Sequence, residues 1–457
     1  MKNLLSLALP ALIFISCGQN PPETIEAEVA TSDTSVYTPE WSKDATIYEV
    51  NIRQHTPEGT FAAFTEDIVR IKNMGIEILW LMPIHPIGEK NRKGTLGSYY
   101  SVRDYKGINP EFGTLEDFEA LVAEAHKHDM KVIIDWVANH TSFDAVWADS
   151  LSWYTLDSAG AMQPTLGTDW WDVADLNFDN QNMRAAMIDA LVYWVRDVKI
   201  DGYRCDVAGS VPTDFWETAI DSLRAVNKEI FMLAEAEEAE HHDKAFNMSY
   251  AWNWLHIMNG IAKGEKTLAD IDAYMAKEDT AFSDEAYRMY FITNHDENSW
   301  NGTEFDRYGK KGVEAYAVIT YTIDGMPLMY GGQESGLDYA LEFFEKDSIA
   351  WGDYKMTEFY SKLIKLNRDN EALWNGVHAG DFHRLKTTAD DQVYAFTRTK
   401  GESQVVTIVN LSKKKTKLTF ESLPEGDFKS LFDQESLAAI GANGLELAPW
   451  GYHVFYR

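Results

Sequence analysis

The sequence predicts a (β/α)8 barrel of the TIM type, with a short insertion after the third strand and an antiparallel β domain at the C-terminal end. Three observations carry that prediction. From Thr46 onward, apolar runs of strand length alternate with stretches whose apolar residues recur at helical spacing. Such alternation implies parallel strands joined by helical crossovers. Acidic and other polar residues gather at the C-terminal ends of the predicted strands, where barrel enzymes place their sites. After about Gly376 the apolar period changes to two, as in antiparallel sheet. The alternating part is roughly 330 residues long, which suits a barrel with insertions. Alternation alone also admits an open doubly wound sheet.

Ile47-Tyr48-Glu49-Val50 is the first predicted strand, and Phe61, Phe64, Ile68 and Ile71 mark the helix after it. Ile76 to Met82 reads as the second strand, followed by a helix carrying Leu115, Phe118, Leu121, Val122 and Ala125. Further strands are expected at Lys131 to Trp136, Gly202 to Asp206, Ile230 to Glu235, Arg288 to Thr293 and Pro327 to Tyr330. Met187 to Val195 and Phe359 to Leu366 read as helices. The barrel is expected over 40–375, and its insertion over 140–175, a stretch without strong period that gathers Trp147, Trp153, Trp170 and Trp171. In the C-terminal domain, 376–457, Val393 to Phe396, Val405 to Val409, Leu445 to Leu447 and Tyr452 to Tyr456 read as strands. Lys413-Lys414-Lys415 reads as a solvated turn between two of them.

Composition narrows the partners. Hydrophobic residues make up 45% and charged residues 25% of the chain, as in a globular protein with a substantial core. Asp and Glu outnumber Lys and Arg 72 to 41, and the formal charge of −31 would repel phosphate backbones and anionic lipid. A nucleic-acid partner is therefore not expected. Aromatic residues reach 13%, so rings have surfaces to line as well as a core to fill.

The first residues read as an address. Lys2 precedes an apolar run from Leu4 to Ile15, too short to span a bilayer but suited to a secretory signal over 1–16. Cys17 after a small residue resembles the lipid-carrying cysteine of bacterial lipoproteins. Residues 17–39 then read as a flexible tether. The expectation is a protein of the bacterial cell envelope, periplasmic or on the outer surface, touching membrane only through a lipid anchor at Cys17. Cys205 is the only other cysteine, so no intramolecular disulfide is expected.

Four polar segments close the predicted strands. The third ends Asp135-Trp136-Val137-Ala138-Asn139-His140, and the fourth runs Gly202-Tyr203-Arg204-Cys205-Asp206. The fifth ends in Glu235, and the seventh ends Thr293-Asn294-His295-Asp296. Singly, each could be a helix cap or a loop contact. In barrel order, the four resemble the signature regions of the α-amylase family of glycoside hydrolases. Gly75 to Pro83, Ala174-Asp175-Leu176-Asn177 and Gly325 to Glu334 extend the resemblance to roughly residues 40–457.

That resemblance implies a retaining double displacement on α-1,4-glucosidic bonds of starch, glycogen or maltooligosaccharides. Such chemistry needs one carboxylate to attack the anomeric carbon and one carboxylic acid to protonate the leaving oxygen. By family position Asp206 is the nucleophile, Glu235 the general acid and later base, and Asp296 the third carboxylate, holding sugar hydroxyls. His140 and His295 are implied to donate to the sugar at the cleavage subsite. Arg204, two residues before Asp206 on a strand, shares its face and can keep it ionised. Asp135 is expected to orient Arg204. Tyr100 is the implied stacking aromatic, with Tyr99 its competitor. Trp80 and Trp136 read as core, whereas Trp252, Trp254 and Trp300 are open between packing and platform. The His241-His242 pair reads as an exposed helix or loop feature.

The sequence also departs from the family. Gly209 and Ser210 stand where true α-amylases usually carry a Lys-His pair, so the leaving-group subsite is expected to be altered. The missing His also weakens a calcium site. Asn139 and Asp175 stand where calcium ligands would lie and offer the oxygens that calcium prefers. The insertion is short for a calcium cage, and the balance falls slightly against a bound ion. No cofactor is required for the chemistry itself. Asp206-Val207-Ala208 resembles the form in members that degrade cyclomaltodextrins and maltooligosaccharides, although the extra N-terminal β domain usual there is missing. A transglycosylase of the same family and a non-catalytic glucan-binding homologue are the competing readings. The presence of all three carboxylates disfavours the second.

Overall fold

The computed structural model describes residues 36–457; the predicted signal, Cys17 and most of the tether lie outside them. Eight parallel strands close into a barrel in sequence order, with the eighth pairing back to the first. They are Ile47–Val50, Ile78–Leu81, Lys131–Trp136, Gly202–Cys205, Phe231–Ala234, Met248–Tyr250, Tyr287–Tyr290 and Met326–Tyr330. The barrel therefore prevails over the open sheet. The sixth strand is absent from the sequence reading, because three residues are too few to show a period.

Strand alternation builds the site. Side chains two residues apart share a face, so Ile47, Ile78, Ile133 and Leu233 fill the barrel's middle. One step further along the same faces come Glu49, Trp80, Asp135 and Glu235. Tyr48, Leu79, Ile134 and Ala234 point outward, into the larger core beneath the helices. The polar ring thus rests on an apolar plug made by the same strands.

The helix expected around Phe61 to Ile71 is two helices, Phe61–Thr65 and Ile68–Met74. All four marker residues are buried, so the apolar face survives the break. Leu115–Lys127 starts at a reciprocal cap between Thr114 and Asp117, and Gln181–Tyr193 starts at Asn180, whose side chain accepts from Met183 N–H. The insertion begins and ends on one two-stranded ribbon, His140–Ser142 against Val173–Asp175, with His140 opposite Asp175.

The C-terminal part forms a five-stranded antiparallel sheet and a two-stranded one. Val393–Lys400, Ser403–Asn410 and Tyr452–Tyr456 are its central strands, and Thr416–Leu418 pairs with Leu445–Leu447. The exposed lysines 413–415 turn the chain between strands. A short helix, Leu437–Asn443, lies outside the sequence reading. Among the described residues, no helix is long and apolar enough to cross a membrane.

Gly202 is where the fold tolerates no side chain. A Cβ there would sit 1.9 Å from the Phe231 carbonyl oxygen, across the pairing of the fourth and fifth strands. Gly202→Ala is expected to cost at least about 2 kcal/mol through forced strand separation, read as a lower urea midpoint.

Candidate active site

Arg204 stands at the centre of the polar ring, and its side chain is fully buried. Its Nη1 donates to Asp135 at 2.8 Å and to Asp206 at 2.9 Å. Nε donates to the Tyr250 hydroxyl at 3.1 Å. Nη2 lies 2.8 Å from Glu235 Oε2, close enough for an ion pair but not aligned for a hydrogen bond. The rings of Trp80, Tyr250 and Tyr100 flank the guanidinium at 5.1, 5.5 and 5.9 Å. Register explains the clustering: Asp135 and Arg204 are direct partners on neighbouring strands. Asp135 thus orients Arg204, and Trp80 Nε1–H also donates to it at 3.3 Å.

Burial raises the carboxyl of Asp206 well above the ordinary range and raises that of Glu235 as well, with Arg204 only partly offsetting the rise. They titrate as one assembly, and hydrogen-bond geometry decides where its proton rests. Asp206 holds the aligned bond from Arg204, which favours its ionised form. Glu235 Oε2 accepts from the Val207 N–H at 2.8 Å, while Oε1 has no hydrogen-bond partner among the described residues and can carry the proton. Val207 reaches that position at φ 39°, a left-handed conformation unusual for a β-branched residue. Strain of about 1–3 kcal/mol is typical of such a residue, and here it aims an N–H at Glu235.

His295 and Tyr100 complete the ring. Tyr100 Oη lies 2.8 Å from His295 Nε2 and 3.1 Å from Asp135 Oδ2. Asp296 Oδ2 is 3.4 Å from the same imidazole nitrogen. His295 Nδ1 bonds Glu49, a fully buried carboxylate that the sequence reading did not single out. Burial disfavours a charged imidazole, but Asp296 and Glu49 outweigh it and raise His295 to about 9. Burial depresses His140 to about 4, so it stays neutral. Asn139 Nδ2 lies 3.2 Å from His140 Nδ1, an arrangement that leaves Nε2 to carry the hydrogen.

Tyr100, His140, Asp206, Glu235, His295 and Asp296 all line one cavity of about 750 Å³. Tyr99 is buried and bonds Asn51, so Tyr100 is the ring that faces the cavity. Trp80, Trp136 and Trp254 are buried in the core, and Trp252 packs on Tyr250 and Phe291. Trp300 is 56% exposed and lines the cavity. The expectation for His241 and His242 needs correction, because both are buried. His242 Nε2 bonds Ser249 Oγ at 2.7 Å on the sixth strand, and Phe246 and Phe282 cover the two rings.

Asn139 and Asp175 meet through a hydroxyl. Thr165 Oγ1 accepts from Asn139 at 3.0 Å and donates to Asp175 at 2.9 Å. Calcium takes about six to eight oxygens. Here the two side chains satisfy one hydroxyl, and no group of three or more acidic, His or Cys side chains converges among the described residues.

Comparison with known proteins agrees with the barrel and the C-terminal sheet. The family model described as alpha amylase, catalytic domain, matches residues 31–171 and 163–384, and that of the maltogenic amylase C-terminal domain matches 384–454. An alpha-amylase (MalA) of Haloarcula japonica is 26% identical over 453 residues, covering 95% of this chain. The chain spans 65% of that relative's length. An alpha-amylase structure from Lactobacillus plantarum superposes with TM-score 0.80 at 31% identity, covering 91% of this chain and 99% of that one. A maltogenic alpha-amylase structure from Thermotoga neapolitana gives 0.78 at 25% identity, covering 91% and 97%.

The Glu49–His295 pair sets a pH dependence. A histidine raised from 6.5 to about 9 stabilises the fold fully below 6.5, and that contribution is lost as pH rises through 9. The loss amounts to about 3 kcal/mol for this group. Glu49→Gln is expected to flatten this alkaline loss and to bring the imidazole titration down toward the ordinary range. Urea unfolding against pH and histidine NMR titration check both.

Proposed function

The chain belongs to the alpha-amylase family, and from that premise we propose that it is a retaining glycosidase acting on α-1,4-linked glucans and maltooligosaccharides. The observation that carries the proposal is the attachment of two inequivalent carboxyls to one buried guanidinium. Asp206 holds the aligned bond, while Glu235 keeps an oxygen free toward the cavity.

In this reading, Asp206 attacks the anomeric carbon as the glycosidic C–O bond breaks. Glu235 gives its proton to the departing oxygen, and a glycosyl ester on Asp206 results. Glu235, now ionised, takes a proton from water, the resulting hydroxide displaces Asp206, and both groups regain their starting states. Asp296 and His295 bind the hydroxyls of the distorted sugar, charged His295 favouring the negative end of each hydroxyl dipole. Neutral His140 donates from Nε2, and Tyr100 offers its face to the apolar face of the ring. No step passes through a cofactor. The relatives include proteins named cyclomaltodextrinase and cyclomaltodextrin glucanotransferase, so transfer of the glycosyl ester to another sugar is the second reading. We place the protein at the bacterial envelope, held by lipid on Cys17, on the strength of its N-terminal sequence.

Digestion of maltoheptaose tests the reaction. Asp206→Asn is expected to lower the rate at least about a thousandfold, and NMR of fresh product should show the α-anomer. The β-anomer would overturn the double displacement. Products longer than the substrate would favour transfer.

A further inference from the structure

The geometry points to a glycone side closed by interlocked loops, and hence to an enzyme that attacks α-glucan chains from their non-reducing ends. The inference rests on the glucan-hydrolase reading above. Glu235 protonates the leaving oxygen, so the released piece departs past Glu235 and Val207. The retained ring sits at the corner formed by Tyr100, His140 and His295. In an α-1,4-glucan, the chain beyond the retained ring runs toward the non-reducing end.

A continuous wall stands on that corner. The short segment 92–96 is tied to the insertion on one flank. Lys93 Nζ donates to the Asp169 carbonyl at 3.2 Å and pairs with Asp172 at 3.0 Å, while lying 5.3 Å from the centre of the Trp171 ring. On the other flank, the segment is tied to the loop after the eighth strand. Leu96 N–H donates to the Phe344 carbonyl at 3.0 Å, and Thr95 N–H donates to Glu345 Oε1 at 2.9 Å. Exposed ion pairs are weak, but the Asp172 side chain is only 3% exposed, and the backbone bond from Leu96 to Phe344 does not depend on charge.

Both flanks continue onto the sugar-holding residues. Trp170 packs on His140 with ring centres 5.5 Å apart. Phe343 stacks on Tyr100 at 6.2 Å, with the rings only 13° from parallel. The wall therefore borders the retained sugar, not the leaving one. On the leaving side, Gly209 and Ser210 are exposed and occupy the positions where a Lys-His pair would project, with Glu238 beside Gly209. A cavity of about 750 Å³ suits a short oligosaccharide. An internal segment of a long glucan would have to pass through the stitched loops, and selectivity arises from that clash.

The test compares maltoheptaose with the same heptasaccharide carrying a 4,6-O-ethylidene group on its non-reducing terminal ring, with products followed by chromatography. Maltoheptaose should be shortened, and the capped sugar should react at least about tenfold more slowly. In Lys93→Ala, which cuts the tie to the insertion, the capped-to-uncapped rate ratio should rise about tenfold. Equal rates on the two sugars in the wild type would overturn the inference while leaving the hydrolase reading intact. An unchanged ratio in Lys93→Ala would overturn the assignment of the wall. Cleavage of neither sugar would overturn both readings.

Discussion

The buried guanidinium of Arg204 is the constraint on which the rest of this site depends. A cation without solvent exposure persists only when carboxylates and hydrogen-bond acceptors replace its water. Asp135 and Asp206 supply two aligned partners, the Tyr250 hydroxyl a third, and Glu235 a close but misaligned contact. Barrel closure makes this arrangement achievable. Asp135 and Arg204 are register partners, Arg204 faces Leu233 across the next pairing, and Glu235 follows at the end of that strand. A slip of one residue between these strands would turn the inward set outward. The barrel's hydrogen bonds and the site's electrostatics therefore specify one another.

Much of this was legible because it repeats along the chain. Period-two alternation at Ile133-Ile134-Asp135 and Leu233-Ala234-Glu235 places the acid on the same face as the apolar plug, so strand ends could be read as site positions. Arg204 and Asp206 follow by the same rule. Contacts made by single residues across sequence distance were less legible. Lys93 and Phe344 lie in loops without a period, and nothing local reveals that an ammonium will reach a tryptophan in the insertion. The His241-His242 pair resembled surface because its neighbours are Glu and Asp, yet Ser249 and two phenylalanines enclose it. Glu49 is different. A carboxylate within Ile-Tyr-Glu-Val, a strand buried at every position, was a readable anomaly. Its partner, His295, lies 246 residues away.

The insertion shows how a short excursion acquires two roles. Its ends are zipped by the ribbon that sets His140 opposite Asp175, so residues close in space bound a stretch with little repetitive structure. Its tryptophans then divide. Trp147 and Trp153 pack against each other and against the core, with Tyr105 beneath Trp147. Trp170 and Trp171 turn toward the cavity, one against His140 and the other against Lys93. The inner pair anchors the excursion, and the outer pair uses that rigidity to form a wall. Thr165, bonded to both Asn139 and Asp175, ties the middle of the insertion to the base of the ribbon by hydrogen bonds.

The charge balance among the buried carboxyls fixes where a proton rests. Glu49, Asp135, Asp206, Glu235 and Asp296 are in direct contact with two cationic side chains, Arg204 and His295, while Lys93 on the cavity wall pairs with Asp172. Fully ionised, the group would carry an excess of negative charge in a largely dry environment, and like charges at such distances do not all persist. A proton must therefore be retained. Asp135 has two aligned bonds from Arg204, Asp206 has one, and Glu49 is paired with the charged imidazole. Asp296 lies near that imidazole and is partly open to solvent. Glu235 has only the misaligned contact and one backbone donor, both on the same oxygen. The retained proton falls to its other oxygen, on a side chain that lines the cavity, as the proposed acid role requires.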